Sequence, residues 1–231
     1  MTEQRSRILV TVLAHNEERR IAACLDSLPL GERGVRVVVV VNGCTDETAA
    51  VAIDAGARVI ESASGYGNAL LTGYRYALGL PALPWVVQMD ADGQHPAASV
   101  PQLVDALERA DAVVGSRLAR GGSAAGWPRR RRWTIRAMGA ATRWMSGLCI
   151  DDVTSGFQAF RPPVVSMLAQ EFDPDLTDAN VLVRMNRWGF TIAEVGVPMQ
   201  PRSGGESMHG GWRSAIYAGK TLMAVSQEIR G

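Results

Sequence analysis

Residues 85–92 read Trp85-Val86-Val87-Gln88-Met89-Asp90-Ala91-Asp92, an apolar run that ends in two carboxylates. A strand with apolar side chains on both faces is typical of a parallel sheet that helices cover on both sides. Residues 8–13, 35–41 and 112–115 are similar runs, a shorter one spans 58–61, and helical patterns separate them along the chain. This alternation predicts an α/β fold, with a mostly parallel central sheet covered by helices on both sides.

The helical patterns lie between these strands and continue through the second half of the chain. In the first half, hydrophobic periodicity predicts helices over residues 17–28, 46–55, 67–80 and 98–109. In the second half, the predicted elements are helices at about 130–148, after Pro162, at about 178–188 and at the C-terminus, with a strand at 191–195. Ligands of such sheets bind at the carboxyl ends of the strands, so the loops there are candidate sites.

Composition bounds the class of protein. The chain has 231 residues, of which 47% are hydrophobic, and a formal net charge of +1. A chain of this length buries enough surface to fold without disulfides, and its three cysteines contain no CxxC pair. No run reaches the roughly 18 apolar residues of a membrane span, and the first apolar run is too short for a signal peptide. We therefore expect one cytoplasmic domain, residues 1–231, able to bind the inner face of a membrane peripherally.

Asp90 and Asp92 form the first candidate site. In extended chain, side chains at i and i+2 project to one side, so both carboxylates can hold a hard divalent cation against a diphosphate. With 12 Asp in the chain, chance alone gives roughly 0.6 such pairs, and Asp173 and Asp175 are indeed a second pair. Only the first pair follows a buried strand, whereas Pro174 predicts a turn for the second. We therefore predict Mg²⁺ or Mn²⁺ at Asp90 and Asp92.

The glycines of this chain do not fit a nicotinamide dehydrogenase. A dinucleotide fold needs GxGxxG after the first strand, where this chain reads Leu13-Ala14-His15-Asn16-Glu17. The glycines of Gly65-Tyr66-Gly67-Asn68-Ala69 follow the third strand instead, and position 70 is Leu. That class is therefore rejected.

Positive charge is concentrated in one segment. Residues 117–143 contain eight Arg and no Asp or Glu, although the whole chain is nearly neutral. Such a segment favours a phosphate-bearing partner, and nucleic acid is not expected because no recognition motif accompanies it. On the helix from about residue 130, two sets of side chains fall on separate faces: Trp133, Ala137, Ala141, Trp144 and Leu148 near one, and Arg132, Arg136 and Arg143 near another. The helix is either a membrane-surface helix beside a lipid-phosphate site or an ordinary amphipathic helix with solvated arginines.

Six motifs occur in order along the chain: Leu13-Ala14-His15-Asn16-Glu17, Val41-Asn42-Gly43-Cys44-Thr45-Asp46, Gly65-Tyr66-Gly67-Asn68-Ala69, Asp90-Ala91-Asp92-Gly93-Gln94-His95-Pro96, Gly115-Ser116-Arg117 and Thr154-Ser155-Gly156-Phe157. Together they resemble those of the family 2 glycosyltransferases of the GT-A fold. The likeness is greatest to the branch of dolichyl-phosphate mannose synthase and the polyprenyl-phosphate glycosyltransferases, and it covers about residues 7–213. It implies a single Rossmann-like GT-A domain, with a nucleotide-sugar half at about 7–117 and an acceptor and lid half at about 118–231.

The resemblance also implies roles for individual residues. The donor would be bound by Ala14, His15, Asn16, Glu17, Asn42, Gly67, Asp90, Ala91 and Asp92. The metal would be held by Asp90, Asp92 and Gln94. The acceptor phosphate would face Arg117 and one of Arg131 and Arg132, with Ser155 beside them. In a lid at 195–205, Arg202 would assist the departing diphosphate.

Three departures from the family pattern matter for the chemistry. Val41-Asn42 replaces the two Asp that are common there, so the donor base stays open, and Met208-His209 replaces a common Lys in the lid. Asn180 stands where the synthases often have Glu, which leaves Asp178 as a shifted acid or merely a helix N-cap. Asp152 is the other candidate base.

The chemistry of the acceptor ranks the possible functions. A polyprenyl phosphate is already ionised near pH 7 and needs no general base, whereas an alcohol acceptor does. We expect a metal-dependent, inverting transfer of a sugar from a nucleotide diphosphosugar to a polyprenyl phosphate. The alternatives are the same chemistry on a soluble small-molecule acceptor, or a catalytically weakened nucleotide-sugar-binding protein.

Overall fold

The computed structural model describes residues 8–29, 34–175 and 179–201, with residue 226 alone beyond them. Seven strands form one sheet: β1 Ile8–Ala14, β2 Val35–Asn42, β3 Arg58–Ser62, β4 Trp85–Asp90, β5 Ala112–Ser116, β6 Gln158–Phe160 and β7 Ile192–Gly196. Its helices are α1 Ile21–Asp26, α2 Thr48–Asp54, α3 Tyr66–Leu78, α4 Val100–Ala106, α5 Arg129–Ser146, α6 Pro162–Glu171 and α7 Ala179–Arg187.

The strand order is β3-β2-β1-β4-β6-β5-β7. All neighbours are parallel except β6, which runs antiparallel to both β4 and β5. The chain leaves β1 for β2 on one side and later returns to place β4 on the other side, so the order reverses at β1. Such a switch point opens a crevice at the carboxyl ends of the strands, which is where this class of sheet binds ligands.

The sheet separates two hydrophobic cores. Val10, Val12 and Met89 point into one core, and Leu13, Val38 and Val86 point into the other. All six are buried, which explains why these strands are apolar on both faces. The predicted α/β architecture is therefore confirmed.

β6 is the element that the sequence pattern does not indicate. Three residues are too few for an alternating pattern, and its antiparallel direction interrupts the regular β-α alternation. Gln158 pairs with Gln88 of β4 and Val114 of β5, so β6 begins at the carboxyl ends of its neighbours. The segment before it, residues 151–157, is thereby delivered to the ligand-binding edge.

Some predicted boundaries were wrong. The helix predicted at 17–28 is regular only over α1, because the Glu17 carbonyl accepts both the Arg20 and the Ile21 N–H in an irregular first turn. A short 3₁₀ helix, Ala97–Ser99, precedes α4. The predicted C-terminal helix and residues 202–205 of the predicted lid lie outside the described residues. Within the described part of the chain, none of the helices has the length and apolarity to cross a bilayer.

Candidate active site

The loops after four parallel strands meet at one edge of the sheet. β1 ends at Ala14, β2 at Asn42, β4 at Asp90 and β5 at Ser116. Parallel strands place all their carboxyl ends at the same edge, so the residues that follow become neighbours. Most of the motifs singled out from the sequence follow these strands.

The two carboxylates of the predicted metal site end β4 and begin its loop. The Asp90 side chain is 28% exposed, and Asp92 is 9% exposed, with its Oδ1 accepting the Gln94 N–H at 3.0 Å. Two carboxylates and a side-chain amide oxygen are the hard ligands that Mg²⁺ prefers, and Mg²⁺ keeps several waters besides. The donor set fits a divalent cation, although the described residues hold no cluster of three or more His, Cys, Asp or Glu.

His95 contacts the backbone and the carboxylate of Asp90, a role that the sequence did not predict. Its Nδ1 accepts the Asp90 N–H at 2.9 Å, so the ring proton belongs on Nε2, which lies 3.9 Å from Asp90 Oδ2. The imidazole stacks on Phe157, with ring centroids 5.2 Å apart. Burial, assisted by the charge of Arg117, lowers the pKa of His95 to about 3. A neutral His95 therefore positions the Asp90 backbone and faces its carboxylate.

The loops of the predicted donor half are tied to one another. His15 Nδ1 donates to the Asn42 carbonyl at 2.5 Å, and Asn16 Oδ1 accepts the Thr45 N–H at 2.8 Å. Asn16 takes a left-handed conformation, φ 55°, which Asn tolerates better than most residues. Asn42 Oδ1 accepts the Gly65 N–H at 2.8 Å. The loops after β1 and β2 and the start of α3 thus form one wall.

Three predicted donor residues have structural roles that the sequence did not reveal. Glu17 is buried, and its N–H donates to the hydroxyl of Thr48 at 2.8 Å, joining the first loop to α2. Ala14 is buried at the end of β1. A Cβ on Gly67 would lie 2.0 Å from the Pro174 carbonyl oxygen, so backbone packing alone requires glycine there. Contact of these residues with a donor stays a prediction.

Arg117 and Asp152 form a buried ion pair on the acceptor side. Arg117 Nε donates to Asp152 Oδ2 and Nη2 to Oδ1, both at 2.6 Å, and Nη2 also donates to the Thr154 hydroxyl at 3.0 Å. Asp152 is fully buried and accepts the Arg117 backbone N–H as well. The bidentate geometry fixes the guanidinium plane. Asp152, a candidate base from the sequence, is therefore better placed to orient Arg117 than to accept a proton from substrate.

The loop that carries Asp152 is anchored at both ends. Glu194, on β7, accepts the Asp152 N–H at 2.8 Å and the Asp151 N–H at 3.0 Å. Ser155 is 1% exposed, and its hydroxyl donates to the Gly115 carbonyl at 2.6 Å. The geometry favours Ser155 as a positioning residue rather than the acceptor ligand expected from the sequence.

Trp127 joins the ion pair to α5. Its ring has the guanidinium carbon of Arg131 at 4.2 Å from the centroid and that of Arg117 at 4.8 Å. The ring is buried, and among the described residues its Nε1–H has no hydrogen-bond partner. In this it differs from Trp133 and Trp144 of the same arginine-rich segment, which are exposed. We call Arg117, Trp127, Arg131 and Asp152 the arginine cluster.

Arg131, rather than Arg132, belongs to this cluster. Burial and the charge of Arg117 lower the pKa of Arg131, while Asp92 and Asp152 act in the opposite direction. Within the described residues, no acidic side chain forms an ion pair with Arg131, and no ring contact places Arg132 on Trp127. Arg131 is thus a partly desolvated cation within electrostatic reach of the predicted metal site.

The arginine cluster adjoins the segment Asp90-Ala91-Asp92, which we call the carboxylate motif, through the 151–157 loop. A Cβ on Gly156 would lie 2.6 Å from the Tyr66 hydroxyl and 3.7 Å from Asp90 Oδ2. The remaining catalytic candidates, Asp178 and Arg202, lie outside the described residues. The second Asp pair, Asp173 and Asp175, forms the turn that Pro174 predicts, with Asp173 Oδ1 accepting the Asp175 N–H at 2.9 Å.

Residues 9–166 match the family described as "Glycosyl transferase family 2". The chain belongs to glycosyl transferase family 2. A dolichyl-phosphate hexose transferase of Haloferax volcanii is 31% identical over 233 residues, covering 100% of this chain and 99% of that protein. An undecaprenyl-phosphate mannosyltransferase of Micrococcus luteus is 31% identical, covering 89% of this chain and 88% of that protein. The resemblance to the polyprenyl-phosphate branch is confirmed, and the chain is a glycosyltransferase.

Solved structures confirm the fold. Glucosyl-3-phosphoglycerate synthase of Mycobacterium tuberculosis, crystallised with Mn²⁺, UDP and glucosyl-3-phosphoglycerate, superimposes with a TM-score of 0.71 at 22% identity. The match covers 99% of this chain and 81% of that one. At this identity the likeness establishes the GT-A fold and nothing finer.

Proposed function

We propose that this family member transfers a sugar from a nucleotide diphosphosugar to a polyprenyl phosphate, with Mg²⁺ or Mn²⁺ at Asp90, Asp92 and Gln94. The arginine cluster supports the proposal, because Arg131 stacks on Trp127 within electrostatic reach of Asp92, and among the described residues no acidic side chain pairs with Arg131 and no acceptor pairs with the indole N–H. Arginine and a ring N–H both donate to phosphate oxygens and accept nothing. The named activities of the Haloferax and Micrococcus relatives support the same acceptor class.

The proposed reaction is a single displacement at the anomeric carbon of the donor sugar. An acceptor phosphate oxygen forms the new bond to that carbon, and the electron pair of the breaking bond leaves with the nucleoside diphosphate. The bound cation would stabilise the negative charge that develops on the leaving diphosphate. Inversion at the anomeric carbon follows from one displacement, in keeping with the family resemblance.

The residues of the arginine cluster have distinct parts in this proposal. Arg131 and the indole N–H of Trp127 would bind the acceptor phosphate, and Asp152 would hold Arg117 in a fixed plane beside them. Preorganised donors of this kind lower the barrier because they need no rearrangement during the reaction. A phosphate monoester, with a second pKa near 6, is already an anion at neutral pH, so the enzyme needs no general base.

Asn42 would contact the nucleobase of the donor. Because its Oδ1 accepts the Gly65 N–H, its Nδ2 remains as the hydrogen-bond donor of the side chain. An amide nitrogen presents hydrogen-bond donors where a carboxylate would present acceptors. The base would therefore be recognised through one of its carbonyl oxygens.

A soluble acceptor is the second candidate, because glucosyl-3-phosphoglycerate synthase shares the fold and is crystallised with phosphoglyceric acid. That molecule also bears a phosphate, so the arginine cluster alone does not separate the two classes. The locked position of Asp152 favours the lipid phosphate, since a hydroxyl nucleophile needs a base. With a lipid acceptor, the chain would work as a peripheral protein at the cytoplasmic face of a membrane.

A turnover screen tests the proposal. Nucleotide diphosphosugars would be offered with Mg²⁺ or Mn²⁺ to three acceptors: a polyprenyl phosphate, the corresponding polyprenol and 3-phosphoglycerate. We expect metal-dependent transfer to the polyprenyl phosphate and none to the polyprenol. Efficient transfer to 3-phosphoglycerate with none to the lipid would establish the second candidate, and tight nucleotide-sugar binding without any transfer would indicate a weakened, binding-only protein.

A further inference from the structure

The outward side of α5 exposes two tryptophans to solvent. Trp133 is 68% exposed and Trp144 is 88% exposed, and Ala137 and Ala140 between them are exposed too. Their spacings of four, three and four residues place them in one row along the helix. We call this row the tryptophan face. It is a continuous apolar surface on an element whose sequence is otherwise rich in charge.

The tryptophan face lies opposite the side of α5 that packs on the protein. The inward residues are Ile135, Met138, Gly139 and Thr142, all buried. A Cβ on Gly139 would lie 2.3 Å from the Asp151 carbonyl oxygen, so the helix approaches the 151–157 loop as closely as backbone allows. The helix therefore has two apolar sides. The inner side packs on the core, so the tryptophan face is not needed to hold the helix in place.

Arginines border the tryptophan face along its length. Arg129, Arg136 and Arg143 are exposed and recur every seven residues, which is two helical turns, so they form a row beside the tryptophans. Arg130 is exposed on the other side of the same face. No Asp or Glu occurs in residues 118–150. The tryptophan face and its border are thus apolar and cationic, and residues 118–150 themselves supply no acidic side chain.

One described acidic side chain does reach this border. Asp151 lies 2.5 Å from Arg143, but both side chains are about half exposed. Exposed ion pairs of this kind contribute little free energy and exchange readily with other anions. The pair therefore does not remove Arg143 from the cationic row.

We propose that the tryptophan face docks on an anionic phospholipid bilayer. Tryptophan is the residue that favours the headgroup level of a membrane, and arginine binds lipid phosphates from the same depth. A helix with one apolar stripe flanked by cations is the pattern of helices that lie in the interfacial plane. A second copy of the chain is a poorer occupant, because it would bring two cationic rows together.

This docking would bring the arginine cluster to the lipid acceptor, and in that respect it rests on the proposed function. Arg131 is two residues from Trp133, about 200° around the helix, so it points inward while the tryptophans point outward. A helix with its side chains is about 10–12 Å across, which would keep the cluster close to the headgroups. A membrane-anchored phosphate could then reach Trp127 and Arg131 while its chain stays in the bilayer.

Vesicle binding tests the docking surface. The intact protein would be sedimented with vesicles of phosphatidylglycerol and phosphatidylcholine in equal parts, and with vesicles of phosphatidylcholine alone. We expect binding to the anionic vesicles at low salt, weakening as NaCl rises above about 0.1 M. In W133A/W144A the partition coefficient should fall by about tenfold or more, since both apolar anchors are removed.

A charge-matched pair of variants distinguishes binding through the arginine row from attraction due to the net charge of the protein. R129Q/R136Q should weaken vesicle binding by about thirtyfold, since each interfacial arginine contributes about a factor of five. R36Q/R109Q removes the same charge from exposed positions on β2 and near α4, and should weaken binding much less. Equal losses in both pairs would overturn the specific surface, as would absence of binding by the unaltered protein at low salt.

Transfer to a short-chain, water-soluble prenyl phosphate keeps this inference separate from the proposed function. W133A/W144A should retain full transfer to that acceptor in the absence of vesicles, because both tryptophans are exposed on the outward side of α5, away from the inward side that carries Arg131. Vesicle binding as expected with no transfer to any prenyl phosphate would overturn the proposed function and leave the docking surface intact. Full transfer by the unaltered protein with no loss of vesicle binding in W133A/W144A would overturn the docking surface and leave the proposed function intact.

Discussion

The carboxylate motif and the arginine cluster lie side by side at the same edge of the sheet, yet they are built differently. Asp90 ends a parallel strand, and Asp92 follows it by two residues, so one short segment supplies both charges. The arginine cluster takes Arg117 from the end of β5, Trp127 from the loop before α5, Arg131 from the first turn of α5, and Asp152 from the loop before β6. Local sequence therefore defines the first site, and long-range side-chain contacts define the second.

The two sites also differ in charge and burial. Asp90 is partly open to solvent, as a cation site requires, whereas Asp152 is fully buried and neutralised by Arg117. Arg131 remains as an excess positive charge within electrostatic reach of Asp92. In the proposed function, the carboxylate motif would hold the donor diphosphate through a cation, and the arginine cluster would bind the acceptor phosphate directly.

The largest expected effect concerns the acidic site. Asp92→Asn should lower turnover by about 10³-fold or more, because loss of one carboxylate would weaken binding of the proposed cation, which would stabilise the leaving group. The free energy of unfolding should change little, since Asp92 is in a loop. Asp175→Asn in the second DxD is the matched control and should leave turnover unaltered. Full activity of Asp92→Asn in the presence of chelator would refute the metal assignment.

The buried ion pair provides the next test, in stability rather than turnover. Asp152→Asn should lower the free energy of unfolding by about 3–5 kcal/mol, because it leaves the Arg117 charge buried without a partner. Asp151→Asn, one residue earlier, breaks an exposed pair and should cost less than about 1 kcal/mol. Denaturant titrations of both variants measure the difference. An Asp152→Asn protein of unaltered stability but no turnover would instead indicate a general base.

The smallest effect is a change of donor preference. Asn42→Asp can still accept the Gly65 N–H, but it presents an acceptor to the base where the amide presented a donor. We expect the ranking of uridine, guanosine and thymidine diphosphosugars to change by about tenfold for at least one base, as one hydrogen bond is exchanged. Isothermal titration calorimetry gives the affinities. A uniform loss for all three bases would mean that Asn42 only supports the wall.

The contrast between the two sites explains what the sequence could predict. Strands such as Trp85–Asp90 are apolar on both faces, so their existence, their parallel arrangement and the residues at their carboxyl ends follow from pattern alone. The same pattern predicts that Asp90, Asn42 and Arg117 share one edge of the sheet, because each follows or ends a parallel strand. The family resemblance added the roles of these residues.

The features that were missed depend on contacts between distant segments. Gln158–Phe160 is too short to carry a periodic signal, and without it the position of Asp152 against Arg117 cannot be inferred. The Trp127 ring is buried between Arg117 and Arg131, and sequence spacing does not predict these contacts. The neutral His95 beneath Asp90 depends likewise on burial by Phe157. A histidine five residues after a strand-terminal aspartate was the one available signal.

The most direct test of the central claim compares Arg131→Gln with Arg132→Gln. The two variants lose the same charge from adjacent positions, but only Arg131 stacks on Trp127 beside the carboxylate motif. Initial rates would be measured with a short-chain prenyl phosphate as acceptor, at saturating donor and metal. We predict that Arg131→Gln lowers kcat/KM for the acceptor by about 10²-fold, as expected for loss of a charged hydrogen-bond donor, and that Arg132→Gln lowers it less than about threefold. Equal rates in the two variants would contradict an acceptor-phosphate site at the arginine cluster.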